Sequence, residues 1–524
     1  MDTEQKIIGN PLMKNPRGGL IRSSVLITFF SVIGIAINFI SQLIIAYYFG
    51  AKFERDAYFV AVNIPLYVSA VFTGSIGIIF LPKFIEVSKN NEKEAINFLS
   101  SVFWLSAIIL IIITLFCIYF SEEIIHKGAS GFNYEQVIFT SKILIIIIPS
   151  IIFTVLSNLL SSLYQINHKF LRPAISPLIG AIISLLFVTL LSQKFGILGL
   201  AIGYLVGSFI SFAFLLPILK NVRIRLCIDY RNPLLINFLK KVIPLFLTGF
   251  LFRSTTIFER MIASKLSSGS ISFLGYSNQI LLILATLTSS GIAVVIYTKL
   301  SLYWSDRKLE DFNNLLIKSI RIVIAISLPI IIAFIFFGDF FIEIVFERGA
   351  FTSTVTDGVY IALACSMGAF IFQNIGNILV KVFYISGRTS AISLIASLEI
   401  LIYLILGVIL SNYLSFIGLS IALSVSSGVN IIISTLYIRY KILKVSFSII
   451  MLDIGKTILS LFLSIIIVYS LYFFLGLNTK LLIFVSIAIG FIFYFIFGTI
   501  FRIEEFLYLK DIIKNLKYNY GRRN

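Results

Sequence analysis

The chain has 524 residues, of which 59% are hydrophobic and only 13% are charged. Soluble domains carry about a quarter charged residues, so this composition excludes a soluble globular protein. The 42 Lys and Arg exceed the 24 Asp and Glu, giving a formal net charge of +18. In a membrane protein such an excess belongs to cytoplasmic loops, so it does not indicate nucleic-acid binding.

Neither a disulfide framework nor a metal site is predicted. Cys117 and Cys365 fall in apolar runs and Cys227 in a basic loop, so no pair stands out. His126 and His168 are far apart and have no ligand-like neighbours. No nucleophile–base pair or glycine-rich phosphate loop occurs, so we predict neither enzymatic activity nor a cofactor. The polar, basic start of the chain does not resemble a cleavable signal peptide.

The chain consists largely of apolar runs. A helix needs about 20 mostly apolar residues to cross a bilayer, and this rule predicts about fourteen spans. In chain order the predicted spans are 24–48, 57–85, 95–120, 137–163, 174–191, 198–219, 234–263, 271–300, 315–337, 356–385, 391–410, 417–438, 451–475 and 481–501. The predicted fold class is therefore an all-α polytopic membrane protein.

Loop charges test this count. Basic residues gather in the amino-terminal tail and in every second loop after it: Lys6, Lys14, Arg17, Arg22, Lys83, Lys89, Lys93, Lys169, Arg172, Lys220, Arg223, Arg225, Arg231, Lys240, Lys241, Lys299, Arg307, Lys308, Lys381, Arg388, Arg439, Lys441, Lys444 and Lys456. The intervening loops are neutral or acidic. Since cytoplasmic loops collect Lys and Arg, both termini are predicted to be cytoplasmic.

Two short segments recur about 220 residues apart. Residues 125–129 (IHKGA) are similar to 346–350 (FERGA), and 199–202 (GLAI) to 418–421 (GLSI). The copies are about six spans apart and so share one orientation, as in transporters built from parallel repeats. We predict two six-helix lobes, from spans one to six and seven to twelve, followed by two further helices.

This plan divides the chain into an amino-terminal tail, the first lobe, a basic cytoplasmic linker, the second lobe, the last two spans and a cytoplasmic tail: 1–23, 24–220, 221–233, 234–440, 441–501 and 502–524. In the last segment, Ile503, Phe506 and Leu507 recur at helical spacing with charged residues between them. This spacing predicts an amphipathic helix on the cytoplasmic membrane surface.

Charged side chains inside predicted spans are candidate functional groups, because ionisable groups are costly in lipid. Span seven contains Arg253, Glu259 and Arg260. Its two arginines are two helical turns apart and share a face, which would suit a diphosphate if that face lined a cavity. Alternatively, Glu259 pairs with a neighbour, or Arg260 extends to the outer surface.

Amides on spans one, two and eight, and the acid that opens span two, are candidate substrate-binding groups: Asn38, Gln42, Asn63, Asn278, Gln279 and Asp56. The amides could hydrogen-bond sugar hydroxyls, or they could join helices to one another. Asp56 could instead cap a helix N-terminus. Glu399, alone in span eleven, could couple transport to a proton or a sodium ion, or be a buried acid paired with a distant Lys or Ser.

Three segments match the motifs of one known family of membrane proteins. Residues 56–61 (DAYFVA), followed by Ile64 and Pro65, are similar to that family's D-A-F-F-V-A-x-x-x-P. Residues 346–352 (FERGAFT) resemble a family segment of the same sequence, and 262–276 resemble the junction of its spans seven and eight. On these segments the chain resembles the MurJ/MviN family of lipid II flippases, within the larger MOP exporter group, and the resemblance extends over nearly the whole chain.

This resemblance implies movement of undecaprenyl-diphosphate-linked saccharides across a bacterial inner membrane by alternating access. It implies a cationic cavity lined by spans one, two, seven and eight. The expected partners are the lipid-linked glycan and membrane lipids, with cell-envelope glycan-synthesis enzymes as further candidates.

The sequence departs from the family in this cavity. The family has S-R-x-x-G-x-x-R in span one, R-R-x-F-x-E-G in span two and A-D-R in span eight. Here 34–41 reads GIAINFIS, 69–75 reads SAVFTGS and 277–279 reads SNQ. Either Arg253 and Arg260 supply a substitute phosphate site, or the substrate is another lipid-linked glycan, of the O-antigen or capsule type.

Two other functions stay open at this point. A small-molecule antiporter of the MATE type that exports cations should have acids deep in its cavity, where this chain has arginines and amides. A scaffold without transport would explain the missing arginines, because a fold does not guarantee a function.

Overall fold

The computed structural model describes residues 16–167, 169–222, 228–252, 254–443, 448–474 and 480–501, with 503, 504, 506 and 507. These residues form eighteen helices and contain no β-strand. The helices are α1 (Pro16–Phe49), α2 (Phe53–Asn90), α3 (Glu92–Tyr119), α4 (Ser121–Gly128), α5 (Tyr134–Ile147), α6 (Ser150–Ile166), α7 (Leu171–Phe195), α8 (Ile197–Leu215), α9 (Ile218–Val222), α10 (Pro233–Phe252), α11 (Thr255–Ala263), α12 (Ser270–Ser305), α13 (Leu309–Phe346), α14 (Ser353–Ile385), α15 (Thr389–Leu414), α16 (Phe416–Lys441), α17 (Ser448–Phe474) and α18 (Lys480–Ile500).

Most of these helices are membrane spans by length and composition. Among the described residues, eleven stretches are long and apolar enough to cross a bilayer. Two shorter apolar stretches, Gly455–Val468 and Ala488–Ile500, lie within α17 and α18. The predicted class, an all-α polytopic membrane protein, is thereby confirmed, while the number of fourteen spans stays a prediction.

Two predicted spans are each divided into two helices. The predicted span 137–163 is interrupted between α5 and α6, next to Pro149, whose ring removes a backbone donor and disfavours a continuous helix. The predicted span 234–263 ends as α10 at Phe252 and resumes as α11 at Thr255. Ser254, Thr255 and Thr256 follow this end, and hydroxyl side chains compete for backbone hydrogen bonds there.

The described residues fall into two compact units. The first unit comprises the residues up to Gly275 together with Glu343–Gly358 and Gly407–Leu419. The second unit comprises Tyr276–Ile342, Val359–Leu406 and the residues from Ser420 onward. The division into lobes at 24–220 and 234–440 stays a prediction.

In the first unit, α2 is the central helix and contacts α3, α5, α6 and α10. Its Phe80 stacks on Phe98 of α3 with 6.0 Å between ring centroids, and Phe98 meets Phe238 of α10 edge-on at 5.6 Å. Lipid is as apolar as these rings, so close van der Waals packing holds such helices together rather than exclusion from water.

Small residues bring α7 and α8 into backbone contact. A β-carbon at Gly180 would lie 2.7 Å from the carbonyl oxygen of Gly207, so neither helix has room for a side chain there. One turn away, the Ser176 hydroxyl donates to the Ser211 carbonyl at 2.8 Å, and the Ser211 hydroxyl donates to the Ser176 carbonyl at 3.0 Å. This pairing of small and hydroxyl residues is typical of membrane helices in tight contact.

The second unit has an apolar core formed by α12, α13, α14, α15 and α16, with these fully buried members: Leu300, Phe312, Leu316, Ile378, Leu379, Val382, Phe383 and Ile438. A smaller cluster joins α13, α17 and α18 to the residues after α18. In it, Ile503 and Phe506 are buried against Ala325, Leu461 and Tyr494. These two side chains of the predicted amphipathic tail therefore contact protein, and the tail beyond Leu507 lies outside the described residues.

Candidate functional site

Asp56, predicted as a substrate ligand or a helix cap, caps a helix distant in sequence. Its carboxylate accepts hydrogen bonds from the backbone N–H groups of Gly269 and Ser272, both at 2.7 Å, and from the Ser272 hydroxyl. The side chain is only 3% exposed. The first N–H groups of α12 have no hydrogen-bond partner within the helix, and they carry partial positive charge. The Asp56 carboxylate accepts their hydrogen bonds and its negative charge is attracted to the helix N-terminus.

Two arginines flank the ring of Phe59, one turn further along α2. The Arg55 guanidinium carbon lies 3.9 Å from the ring centroid and that of Arg260 lies 5.3 Å from it. Arg55 is 1% exposed and donates to the Gln42 side-chain oxygen at 3.0 Å. A cation over an aromatic face is stabilised most when water is excluded, as it is here.

Arg260 also contacts two residues close to it in the chain, one on α11 and one on α12. Its guanidinium donates to the Ile271 carbonyl at 2.8 Å and lies 3.3 Å from the Glu259 carboxylate. Glu259 is buried as well. The charges of two acids, Asp56 and Glu259, thus balance those of two arginines, Arg55 and Arg260. We call this group the connection cluster, with these members: Arg55, Asp56, Phe59, Glu259, Arg260, Gly269 and Ser272.

Further contacts in the first unit join other connections between helices. The Ala350 N–H donates to the Tyr47 carbonyl at 2.8 Å, and the Gly131 N–H donates to the Ser264 hydroxyl at 3.1 Å. The ring of Phe273 meets that of Phe416, with 5.1 Å between centroids. With the connection cluster, these contacts bring together five connecting segments that the loop-charge pattern assigns to the outer side: 49–56, 129–133, 264–272, 346–352 and 415–416.

Glycines allow the closest of these approaches. Gly50 has a φ of +53°, and a β-carbon there would lie 2.1 Å from the Ala350 carbonyl oxygen. Gly349 has a φ of +63°, and a β-carbon there would lie 2.5 Å from the Tyr47 carbonyl oxygen. The end of α1 and the turn after α13 can therefore meet only with glycine at both positions.

The structure does not bring all predicted binding residues together. Asn38 is exposed on α1, whereas Gln42 is engaged by Arg55. The Asn63 side-chain nitrogen is buried without a hydrogen-bond partner among the described residues. The other three predicted residues are placed as follows: Asn278 and Gln279 belong to the second unit, and Arg253 lies outside the described residues.

Arg55 lies just before the predicted start of span two and is not among the predicted site residues. Two signals were present in the sequence. It directly precedes Asp56, and α2 carries aromatic residues three and four positions later, at Tyr58 and Phe59. That spacing places a guanidinium beside the aromatic rings on one helix face.

Glu399 lies on α15 in the second unit and has neutral partners. Its carboxylate accepts from the Ser427 hydroxyl at 3.0 Å and from the Asn430 side-chain amide at 2.7 Å, both on α16. The Asn430 oxygen in turn accepts from the Ser434 hydroxyl at 3.1 Å. No group of three or more His, Cys, Asp or Glu side chains among the described residues is placed to hold a metal ion.

Comparison with solved structures defines the class of protein. A multidrug resistance MATE family transporter of the MOP superfamily, in an inward-facing conformation, superposes with a TM-score of 0.67 at 15% identity, covering 78% of this chain and 94% of that chain. At this identity the likeness shows the fold alone. The chain is thus a polytopic helical protein with the same fold as that transporter.

The family follows from closer relatives. The profile of the lipid II flippase MurJ family matches residues 45–490, so this chain belongs to that family. A probable lipid II flippase MurJ of Buchnera aphidicola subsp. Acyrthosiphon pisum (strain APS) is 27% identical over 425 residues, which is 79% of this chain and 83% of the relative. A lipid II flippase MurJ structure in an inward closed conformation superposes with a TM-score of 0.80 at 26% identity, covering 91% of this chain and 98% of that chain.

Proposed function

We propose that this protein carries lipid II across the bacterial inner membrane by alternating access, with both termini in the cytoplasm. The match of the flippase family to residues 45–490 carries this proposal. The membrane-spanning helices fit it, as does the absence of any catalytic motif in the sequence. The protein is a transporter and not an enzyme.

The connection cluster supplies a physical basis for closing the outer side. Alternating access requires one entrance of a cavity to be closed while the other is open. Five connecting segments with a predicted outer location contact one another in the first unit. Opening this side would withdraw Asp56 from the N–H groups of Gly269 and Ser272.

The cost of this opening is set by what replaces those contacts. A hydrogen bond to a charged group contributes about 1.5–3 kcal/mol, and a buried donor left without a partner costs about as much. Water, or a phosphate oxygen at the start of α12, would recover part of this energy. The closed arrangement is therefore the stable state, and opening needs a ligand that favours the open one.

For the substrate, we propose that Arg260 and Arg253 contact the diphosphate once the outer contacts are released. The ion pair with Glu259 would then exchange for phosphate oxygens, to which a guanidinium binds in a bidentate manner. The amides are proposed to bind sugar hydroxyls: Asn38, Gln42, Asn63, Asn278 and Gln279. Among them, Asn63 is supported by its unsatisfied buried nitrogen.

Glu399 is proposed as the coupling residue. Its carboxylate has two neutral partners, Ser427 and Asn430, and no cationic side chain of the described residues forms an ion pair with it. A proton or a sodium ion could provide that balance, because a lone carboxylate inside a membrane is costly. Replacing it by Gln keeps the size and the capacity for hydrogen bonds, and should remove any ion dependence of transport while the protein remains folded.

The first experiment is complementation of cells depleted of their own lipid II flippase. Wild type is compared with Arg260→Ala, Arg260→Lys and Arg253→Ala at equal protein levels. Lys265→Ala is the matched control, because Lys265 is an exposed cation of the same connection. We expect growth with wild type and Lys265→Ala, loss with Arg260→Ala, and partial recovery with Arg260→Lys.

The outcomes separate the parts of the proposal. Growth that survives both alanine substitutions would remove these arginines from substrate binding but keep lipid II transport. Failure of well-expressed wild type to restore growth would contradict lipid II as the substrate and favour another lipid-linked glycan or a scaffold role. No observation favours small-molecule antiport, since the MATE likeness extends to the fold only.

A further inference from the structure

A crevice of about 280 Å³ opens at the surface of the first unit where α1, α7 and the end of α13 meet. Phe346, which is 4% exposed, is the most deeply buried of its residues. The remaining lining residues are aliphatic or aromatic apart from Thr189 and the cationic Arg348: Leu43, Ile44, Tyr47, Tyr48 and Val345. No member of the connection cluster lines it.

The surroundings of the crevice are suited to lipid. Both α1 and α7 contain candidate membrane spans. Next to the lining residues, Ile40 on α1 and Leu186 and Leu190 on α7 are exposed, Leu190 by 70%. Large apolar side chains on a spanning helix face hydrocarbon, so the crevice opens to the bilayer rather than to water. Tyr47 and Tyr48 lie in the last turn of α1, and tyrosines are enriched where a spanning helix meets the membrane–water interface.

The cation at this crevice is held in place by the backbone. The Arg348 guanidinium donates to the Ile344 carbonyl at 3.1 Å. The next two residues, Gly349 and Ala350, are fixed against Tyr47 by close backbone contact and by a hydrogen bond of 2.8 Å. Arg348 is thereby kept beside the crevice without a flexible loop, and a pre-positioned guanidinium loses little entropy when it binds a phosphate.

The charge of the site selects for an anion. None of the lining residues is acidic, and no carboxylate of the described residues lies within 4.0 Å of the Arg348 guanidinium. The adjacent Glu347 accepts a hydrogen bond from the Thr356 hydroxyl at 2.6 Å and does not line the crevice. A phosphate would be well matched here, whereas the ammonium of a zwitterionic headgroup would find no acidic partner.

We propose that this crevice binds an anionic glycerophospholipid, with one acyl chain against Phe346 and the phosphate on Arg348. The lipid belongs to the membrane and is distinct from the transported substrate. The resemblance assigns the transport cavity to spans one, two, seven and eight. The crevice shares only α1, which is span one, with that cavity, because α7 is the fifth predicted span and α13 contains the ninth. On the predicted topology the site lies in the outer leaflet. The proposal requires only that the chain spans the membrane, so it is independent of lipid II transport.

Native mass spectrometry of the purified full-length protein tests this site directly. Detergent micelles are doped with phosphatidylglycerol or phosphatidylethanolamine of equal chain length, and the retained lipid is measured. Both headgroups carry a phosphate, but the ammonium of phosphatidylethanolamine cancels its net charge and finds no acidic partner beside Arg348. We therefore expect about tenfold preference for phosphatidylglycerol in wild type, which corresponds to about 1.4 kcal/mol. Arg348→Gln should remove most of that preference, and Arg348→Lys should keep part of it.

Two further variants separate the site from general surface charge and from folding defects. Lys127→Gln removes an exposed cation of the same predicted side and should leave the preference unchanged. Thr189→Phe fills the crevice with Arg348 intact and should lower retention of both lipids. Equal retention of the two lipids by wild type would overturn the proposal. An unchanged preference in Arg348→Gln, if that variant folds, would also overturn the proposal. If Arg348→Gln does not fold, unchanged lipid retention in Thr189→Phe would overturn it.

Discussion

The two units satisfy their buried polar groups in different ways. In the first unit, the charged Asp56 and Arg260 lie near helix ends and bind backbone groups of other segments. In the second unit, the neutral Asn374 lies within α14 and donates to the hydroxyls of Thr288 at 3.1 Å and Ser327 at 3.3 Å. Backbone N–H groups inside a helix are already paired, so only helix N-termini offer free N–H groups to a carboxylate such as that of Asp56.

This difference separates contacts that can exchange from contacts that cannot. A charged group at a helix end can trade its protein partner for water or phosphate when segments part. A neutral amide deep between helices has no such replacement in lipid, because an unsatisfied polar group there is costly. We therefore assign movement to the connection cluster and rigidity to the Asn374 contacts, and three substitutions test this assignment.

The largest effect is expected for Gly50→Ala. The new methyl group would lie 2.1 Å from the Ala350 carbonyl oxygen, and alanine is strained at a φ of +53°. We expect a loss of about 3–4 kcal/mol in the free energy of unfolding, measured by titration with SDS in mixed micelles.

Gly387→Ala is the matched control, because Gly387 also ends a helix with a positive φ, of +70°, but has nothing within 4 Å of a β-carbon. It should cost about 1–2 kcal/mol, the conformational strain alone. Equal losses in the two variants would show that the contact between Gly50 and Ala350 contributes nothing.

The second effect concerns Asp56→Ala. It leaves the N–H groups of Gly269 and Ser272 buried without their acceptor, so we expect a loss of about 3 kcal/mol in unfolding free energy. Exposure of a cysteine introduced in this connection to a membrane-impermeant thiol reagent should also rise. Glu54→Ala changes an exposed acid in the same turn and should alter neither measurement. Unchanged labelling in Asp56→Ala would argue against a role in closing the outer side.

The smallest effect is expected for Asn374→Ala. Hydrogen bonds between membrane helices contribute about 0.6 kcal/mol on average and at most about 1.7 kcal/mol, so a loss of about 1 kcal/mol is predicted. Thiol labelling should not change, because this contact is assigned to rigidity. Asn377→Ala, at an exposed position of the same helix, is the control. Increased labelling in Asn374→Ala would contradict the distinction between the two units.

The fold was largely predictable, because hydropathy reports directly on membrane spans. The predicted spans 271–300 and 356–385 correspond closely to α12 and α14. Hydropathy does not report on breaks in the backbone, so the interruption at Pro149 was missed although proline is visible in the sequence. Similarly, helical spacing showed that Ile503 and Phe506 share a face but not whether protein or lipid covers it.

The site was less predictable, because its contacts join residues far apart in the chain. Asp56 was identified as a candidate, and capping of a helix N-terminus was one of the two interpretations. Its partners, Gly269 and Ser272, are more than 200 positions away, and no local pattern indicates that pairing. Arg260 was placed correctly on a helix with Glu259, yet its position over Phe59 depends on packing that the sequence does not encode locally.

The contact between α7 and α8 has a mechanical consequence. Gly180 and Gly207 bring the two backbones together, and the reciprocal bonds of Ser176 and Ser211 fix their register. Sliding of one helix along the other would break both bonds and create a steric overlap, so the pair should move as one rigid rod. A pair of spectroscopic labels across these helices would keep a constant separation throughout the transport cycle. The distance between these two labels would be a constant reference for measuring displacements elsewhere in the protein.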